Sequence, residues 1–356
     1  MSEMTMRQRM LAVIRGEPHD RVPFVSYRGM APTKEVWDLV GRNNLGLLGW
    51  TGVCGCQSPN CRREVEPFEL NGRAARRTIL HTPEGKLSEV WVDAAVAAHV
   101  HEHFIKAPAD YKILLALLRD QHYTPEAQSW LAAWNEIGDD GLPHTSIGRT
   151  AYQALWVEWV NPVDLAAHMT DEPALMEEVF AAMNADMAKA FAAACEVVRQ
   201  APVPYLLLPD NITAPMIGES NFRKYCMPMY LKLREMLDEI GSDIPVAVHT
   251  DGDLRPLWKA FAESRVGWFD SLSPPPDNDT SVADALREWP GAGVGINFPS
   301  SVHLKSEREI YETTMEILAQ GGRSNRLQIQ ISEDMPPNAW KKSFPQIVRG
   351  INDFYA

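Results

Sequence analysis

The chain of 356 residues lacks any run of 18 apolar residues, and its start, Met1-Ser-Glu-Met-Thr-Met-Arg7, holds no apolar signal core. A membrane span or an export signal is therefore disfavoured, and the cytoplasm is the expected location. Positive charge is short as well: 34 Lys and Arg stand against 47 Asp and Glu, a formal net charge of -13. That balance opposes binding to nucleic-acid backbones and to anionic membranes, and it disfavours a polyanionic substrate unless a local basic pocket exists. Cysteine is scarce. Five of them, an odd count, predict reduced thiols rather than a disulfide framework. No Gly-x-Gly-x-x-Gly and no phosphate-binding loop follows a predicted strand, so a nucleotide fold is disfavoured too.

What the chain does have is apolar mass in alternating segments. It is 45% hydrophobic with 11 Trp, ample for a large core. Helices are predicted at 5–17 and 33–49 around a strand at 20–27, and a hairpin at 76–92 turns at Pro83-Glu-Gly85. Helices at 108–119 and 125–138 lead to a strand at 142–147, and helices at 151–158, 161–170 and 173–199 follow. Strands at 204–209, 244–249, 267–271, 293–297 and 327–331 then alternate with helices at 219–240, 254–263, 280–288, 305–320 and 338–354. Such alternation predicts a parallel sheet with right-handed crossovers, and at this length a closed α/β (β/α)8 TIM barrel. The expectation is one domain over 1–356. Residues 1–110 carry the N-terminal extension, first strand and hairpin, and 111–356 the main run of β/α units.

The segment Ile244-Pro-Val-Ala-Val-His-Thr-Asp-Gly-Asp-Leu254 gives the clearest chemistry. A short buried strand ends in His249 and Asp251, which as alternate residues project to one side. An imidazole and a carboxylate so placed can share a proton or hold a metal. In a barrel, all strand ends face one mouth. Those ends read Tyr27/Arg28, Ser146/Arg149, Asp210/Asn211, His249/Asp251, Ser271/Ser273, Asn297 and Glu333/Asp334. Asp210 and His249 are the candidate acid/base pair, and Tyr27, Arg28, Asn211 and Asn297 the candidate substrate contacts. Cys54, Cys56 and Cys61 match no common zinc spacing and read as loop thiols. His99, His101 and His103 read as solvated edge residues.

Several blocks resemble the uroporphyrinogen decarboxylase-like superfamily over nearly the whole length. They are Arg7-Gln-Arg-Met-Leu-Ala-Val-Ile-Arg-Gly-Glu-Pro-His-Asp-Arg-Val-Pro23, Thr82-Pro-Glu-Gly85, Pro209-Asp-Asn211, Phe222-Arg-Lys-Tyr225 with Pro228, and His249-Thr-Asp-Gly252. The resemblance implies a TIM barrel whose members either decarboxylate uroporphyrinogen or move methyl groups to or from a corrinoid or a thiol. The true decarboxylases carry Arg-Gln-Ala-Gly-Arg after the first strand, where this chain has Ser26-Tyr-Arg-Gly-Met-Ala-Pro-Thr33. The methyltransferase branch holds zinc through His-x-Cys and a later Cys. Here His249 matches the His, Asp251 replaces the first Cys, and Glu333 or Asp334 lies near the place of the second. The metal set implied is His249, Asp251 and Glu333 around a divalent ion, zinc first.

The expected function is a metal-dependent methyltransferase (demethylase) that moves a methyl group from a small, largely apolar donor to a corrinoid or another nucleophile. No Asp-x-His-x-x-Gly segment is present, so a corrinoid would sit on a separate carrier protein. A second copy of the chain is the other expected partner. The alternative is a decarboxylase or lyase of a small carboxylate, or of uroporphyrinogen III, with Asp210 and His249 as acid/base groups. A barrel that binds a small molecule without catalysis is a third reading.

Overall fold

A computed structural model describes residues 3–94 and 98–356. Its centre is an eight-stranded parallel sheet: β1 (Phe24–Tyr27), β2 (Gly46–Gly52), β3 (Gly141–Ser146), β4 (Leu206–Ile212), β5 (Val246–Thr250), β6 (Trp268–Leu272), β7 (Gly293–Asn297) and β8 (Leu327–Ile331). Neighbours pair in the order β4-β5-β6-β7-β8-β1-β2-β3. The seam between β3 and β4 closes the ring. There the Thr145 hydroxyl donates to Tyr205 O and accepts from Leu207 N, while Ile147 N donates to Leu207 O. The fold is a TIM barrel with helices between its strands.

Seven of these strands lie where apolar runs predict them. The eighth, β2, falls in the stretch expected to be helical to residue 49. The helix there is only Thr33–Val40, ended at Gly41 with φ +89°. Gly46-Leu-Leu-Gly-Trp-Thr-Gly52 is too rich in glycine to continue a helix. Instead it lies between β1 and β3, so close to the N-terminal segment that a Cβ on Gly46 would come within 2.3 Å of Met6 Cγ.

Alternate residues of each strand fill the barrel interior. Val25, Leu48, Leu142, Leu207, Ala247 and Trp268 form its lower packing, and helix α1 (Met6–Arg15) seals that end with Met6, Met10 and Val13. Thr5 and Gln8 cap α1 reciprocally, and Gly16 ends it in the left-handed conformation. The fully buried Arg9 binds Asp20 through two hydrogen bonds of 2.7 and 2.8 Å, tying α1 to the chain entering β1.

The hairpin predicted at 76–92 is part of a larger antiparallel sheet of Arg62–Leu70, Arg73–Thr82, Gly85–Val92 and His99–Glu102. His99 and His101 are exposed on its edge strand, and His103 is half-buried beyond it. The helix expected over 219–240 is interrupted. A helix at Ala214–Asn221 and a wide turn at Phe222–Cys226 precede a helix at Met227–Glu239. Among the described residues, no helix is long and apolar enough to cross a membrane.

Candidate active site at the barrel mouth

His249 and Asp270 meet because β5 and β6 pair in parallel with these two residues in register, both pointing into the barrel. Asp270 Oδ2 lies 2.9 Å from His249 Nδ1 and accepts the Tyr27 hydroxyl at 2.5 Å. Its other oxygen accepts from Gln330 Nε2 at 3.0 Å, and Gln330 in turn accepts from Gln328. A carboxylate so held is strongly acidic. Burial works against its charge, but the neighbouring His144, the His249 hydrogen bond and charge, and the Tyr27 hydroxyl bring its pKa down to about 2.

The two histidines that flank Asp270 respond in opposite ways. Burial opposes the charge on His249, yet the Asp270 hydrogen bond and charge, with Asp251 beyond, outweigh it and raise its pKa. His144 is fully buried, and that burial lowers its pKa to about 4 although Asp270 partly offsets it. His144 Nδ1 meets the Tyr205 hydroxyl at 2.6 Å. Its Nε2 has no hydrogen-bond partner among the described residues and lies 3.7 Å from Asp270 Oδ2. One imidazole is thus ready to carry a proton and the other is kept neutral.

Asp270 fixes Nδ1 of His249 and leaves Nε2 toward the mouth, where Asp251 Oδ2 is 4.0 Å away. Trp50 stands beside this group from β2. Its ring packs edge-on against Tyr27 and His144 with centroids 5.3 and 4.2 Å apart, yet the residue is 48% exposed. An aromatic on the interior side of a strand end, half open to solvent, forms an apolar wall for a ligand.

The other sequence-predicted residues are placed as follows. Asp251 accepts from Asn211 Nδ2 at 2.8 Å, and Asn211, with φ +51°, accepts from Arg149 Nη2 at 3.3 Å. Glu333 accepts from Ser273 and Ser300 at 2.7 and 2.8 Å. The buried Asn297 carbonyl holds the Ser332 amide and hydroxyl. Arg28 is exposed and reaches Glu136 at 2.9 Å on the helix Ala127–Ile137. Asp210 does not join His249. It is fully buried against the helical layer, accepting from Thr150 N, the Thr150 hydroxyl and the Tyr230 hydroxyl at 2.7, 3.0 and 2.5 Å. Burial lifts its pKa to about 6 against the pull of those donors.

The three-ligand metal set is not assembled in this arrangement. His249 Nε2 and Asp251 form a pair, but Glu333 is engaged by two serines. Among the described residues no three His, Cys, Asp or Glu side chains gather as metal ligands. Cys54 and Cys56 lie on a short strand, Cys54–Gln57, paired with His122–Pro125, and like Cys61 they are free thiols. The residues present do not fit a three-ligand zinc centre.

Asp270, His144, Trp50 and Gln330 escaped the sequence reading. Asp270 and His144 lie inside strands rather than at their ends, and Trp50 lies on a strand whose first half was predicted as helix. Interior parity was the available signal: Asp270 is two residues after Trp268, and His144 two after Leu142.

A family model described as uroporphyrinogen decarboxylase (URO-D) matches residues 160–342, just over half of the chain. The chain belongs to the uroporphyrinogen decarboxylase family. Comparison with curated protein sequences finds no match. A solved methyltransferase from Methanosarcina mazei superposes on this family member with a TM-score of 0.56 at 14% identity, covering 99% of this chain and 100% of that one. A B12-independent methionine synthase from Shewanella sp. W3-18-1, in complex with selenomethionine, gives a TM-score of 0.45 at 9% identity, with coverage of 90% and 85%. The likeness to the first is one of fold. The matched region of the family model contains β4 to β8, and with them His249 and Asp270.

Proposed function

We propose that this family member transfers a methyl group from a small, largely apolar donor to a nucleophilic acceptor, with His249 as general acid. The observation that carries the reading is the His249–Asp270 pair: one nitrogen fixed at 2.9 Å, the other free at the mouth, and a pKa raised from the ordinary value. As the acceptor's electron pair forms the new bond to the methyl carbon, the carbon–oxygen bond of a methyl ether breaks. Its electrons go to the oxygen, which takes the proton from Nε2. Tyr27 and Asp270 hold the ring in place through that transfer, and Trp50 supplies the apolar wall. The acceptor in this reading is a reduced corrinoid on a separate carrier protein, in keeping with the fold shared with the Methanosarcina mazei methyltransferase. No step is assigned to a metal, because the donors present do not form a three-ligand set.

A second reading is supported by Arg149 at the mouth, within reach of Asn211. In a decarboxylase of a small carboxylate, the carbon–carbon bond breaks, carbon dioxide leaves, and His249 protonates the carbon that keeps the electron pair. Uroporphyrinogen itself fits poorly. Arg28, the arginine kept after β1, is already paired with Glu136.

The deciding experiment offers the protein cob(I)alamin with a panel of aryl and alkyl methyl ethers and follows methylcobalamin by absorbance. A parallel assay follows carbon dioxide from small carboxylic acids. Methyl transfer that His249→Gln abolishes supports the first reading. Carbon dioxide release without methyl transfer supports the second. Methyl transfer at an equal rate in the variant rejects the acid role.

A further inference from the structure

Arg149 follows β3 and stands between the mouth and a second cavity. One side of its guanidinium reaches Glu158 at 2.7 Å through Nη1 and Asn211 at 3.3 Å through Nη2. Its Nε is buried and has no hydrogen-bond partner among the described residues. A buried N–H left unpaired is costly, so an acceptor is wanted there. The cavity beside it, of about 210 Å³, runs between the loop after β3 and the long helix Pro173–Gln200. Trp159, Met183 and Met187 give it apolar walls, and Tyr123, Asp186 and Arg63 complete it.

The charged groups around this cavity are mostly engaged with one another. Asp186 is already satisfied by the Tyr123 hydroxyl at 2.7 Å and Lys189 at 3.1 Å, and Glu158 by Arg149. Arg63 lies over the Phe104 and Trp159 rings, 5.4 and 5.9 Å from their centroids. Of the two arginines that line the cavity, Arg149 is paired with Glu158, and Arg63 forms no salt bridge among the described residues.

We infer that this cavity binds a small monocarboxylate with an apolar body, held by Arg149 through Nε and the adjoining Nη. A carboxylate has the two parallel acceptors that such an edge of a guanidinium matches. The apolar part lies against Met183, Met187 and Trp159. The same guanidinium bonds Asn211, which in turn bonds Asp251 near His249 Nε2, so hydrogen bonds link the cavity to the mouth.

The test measures binding rather than turnover, so it fails or succeeds independently of the methyl-transfer reading. Sodium benzoate is titrated into the full-length protein by calorimetry, beside the neutral isostere benzamide. The expected result is benzoate binding, with benzamide about 10- to 100-fold weaker, the range that loss of one charge-assisted contact gives. Arg149→Gln should weaken benzoate to a similar extent, and Arg149→Lys by less, with melting temperatures confirming that both variants fold. If a variant does not fold, the benzoate-to-benzamide ratio in the wild-type protein decides. Absence of benzoate binding at millimolar concentration, equal binding of benzamide, or benzoate binding unchanged in a folded Arg149→Gln protein overturns the inference.

Discussion

Asp270 holds His249 by a single nitrogen, with Oδ2 2.9 Å from Nδ1, and the same oxygen takes the Tyr27 hydroxyl. That choice of nitrogen decides the chemistry. The carboxylate stabilises the imidazolium and fixes its orientation, while Nε2 remains to give or take a proton at the mouth.

If His249 acts as an acid, turnover falls as pH rises through its raised pKa, which places the alkaline limb above the ordinary histidine value of about 6.5. Asp270→Asn removes the charge that keeps the imidazolium protonated. The limb should then move to lower pH, and the rate at neutral pH should drop by about 10²-fold or more. A pH–rate profile of both proteins reads this directly, and an unmoved limb would separate Asp270 from the titration of His249.

His249→Gln should lose about 10²- to 10⁴-fold in rate and keep its fold, because the residue lies at the end of the barrel that carries loops rather than core. Single-turnover rates beside a melting curve test the pair of claims. A variant that unfolds would instead place His249 among the residues that hold the barrel together.

Asp210 should behave as a structural acid. Its pKa in the folded chain, about 6, is above the unfolded value near 3.9, so the group favours the folded state below about pH 4. That contribution is lost as pH rises through 6. Asp210→Asn should cost about 1–3 kcal/mol, since an amide cannot accept all three of the donors now satisfied. It should also remove this part of the pH dependence. Denaturant midpoints measured from pH 4 to 7 distinguish this from a catalytic role, in which the rate would fall and the midpoint would not.

Trp50→Ala should raise KM about tenfold for an aromatic donor with little change in kcat, because the ring offers area and no proton. A change confined to kcat would contradict a wall that binds the ground state and transition state alike.

Zinc should remain substoichiometric after dialysis, because Glu333 is turned to Ser273 and Ser300 and leaves His249 and Asp251 as a pair. Elemental analysis of the wild type and His249→Ala is the measurement. One tightly held zinc per wild-type chain, lost in the variant, would mean that Glu333 leaves its serines to complete the set.

The barrel was legible from its apolar runs because a parallel strand buried on both faces is written as a short, nearly continuous stretch of Val, Ile and Leu, as in Val246-Ala247-Val248. Strand β2 was not, since Gly46 and Gly49 replace those residues where neighbours press closely. His249 and Asp251 stood out because a strand end exposes its polar residues in order. Asp270 was hidden because its partners come from β1, β5 and β8, and local spacing carries no sign of contacts across a barrel. Asp210 lies apart from His249 for a related reason. The pairing of β4 with β5 is irregular between Leu208 and Ile212, and the Asp210 side chain turns toward Tyr230 instead of the mouth.

Helix α1 stoppers the barrel with Met6, Met10 and Val13, and this has a kinetic meaning. In the proposed methyl transfer, donor and acceptor must use one doorway, and so must the demethylated product. A small donor can pass before a protein-borne acceptor settles over the opening, whereas the reverse order would shut the donor out. Binding should therefore be ordered, donor first, with acceptor-saturated protein showing inhibition that more donor relieves only slowly.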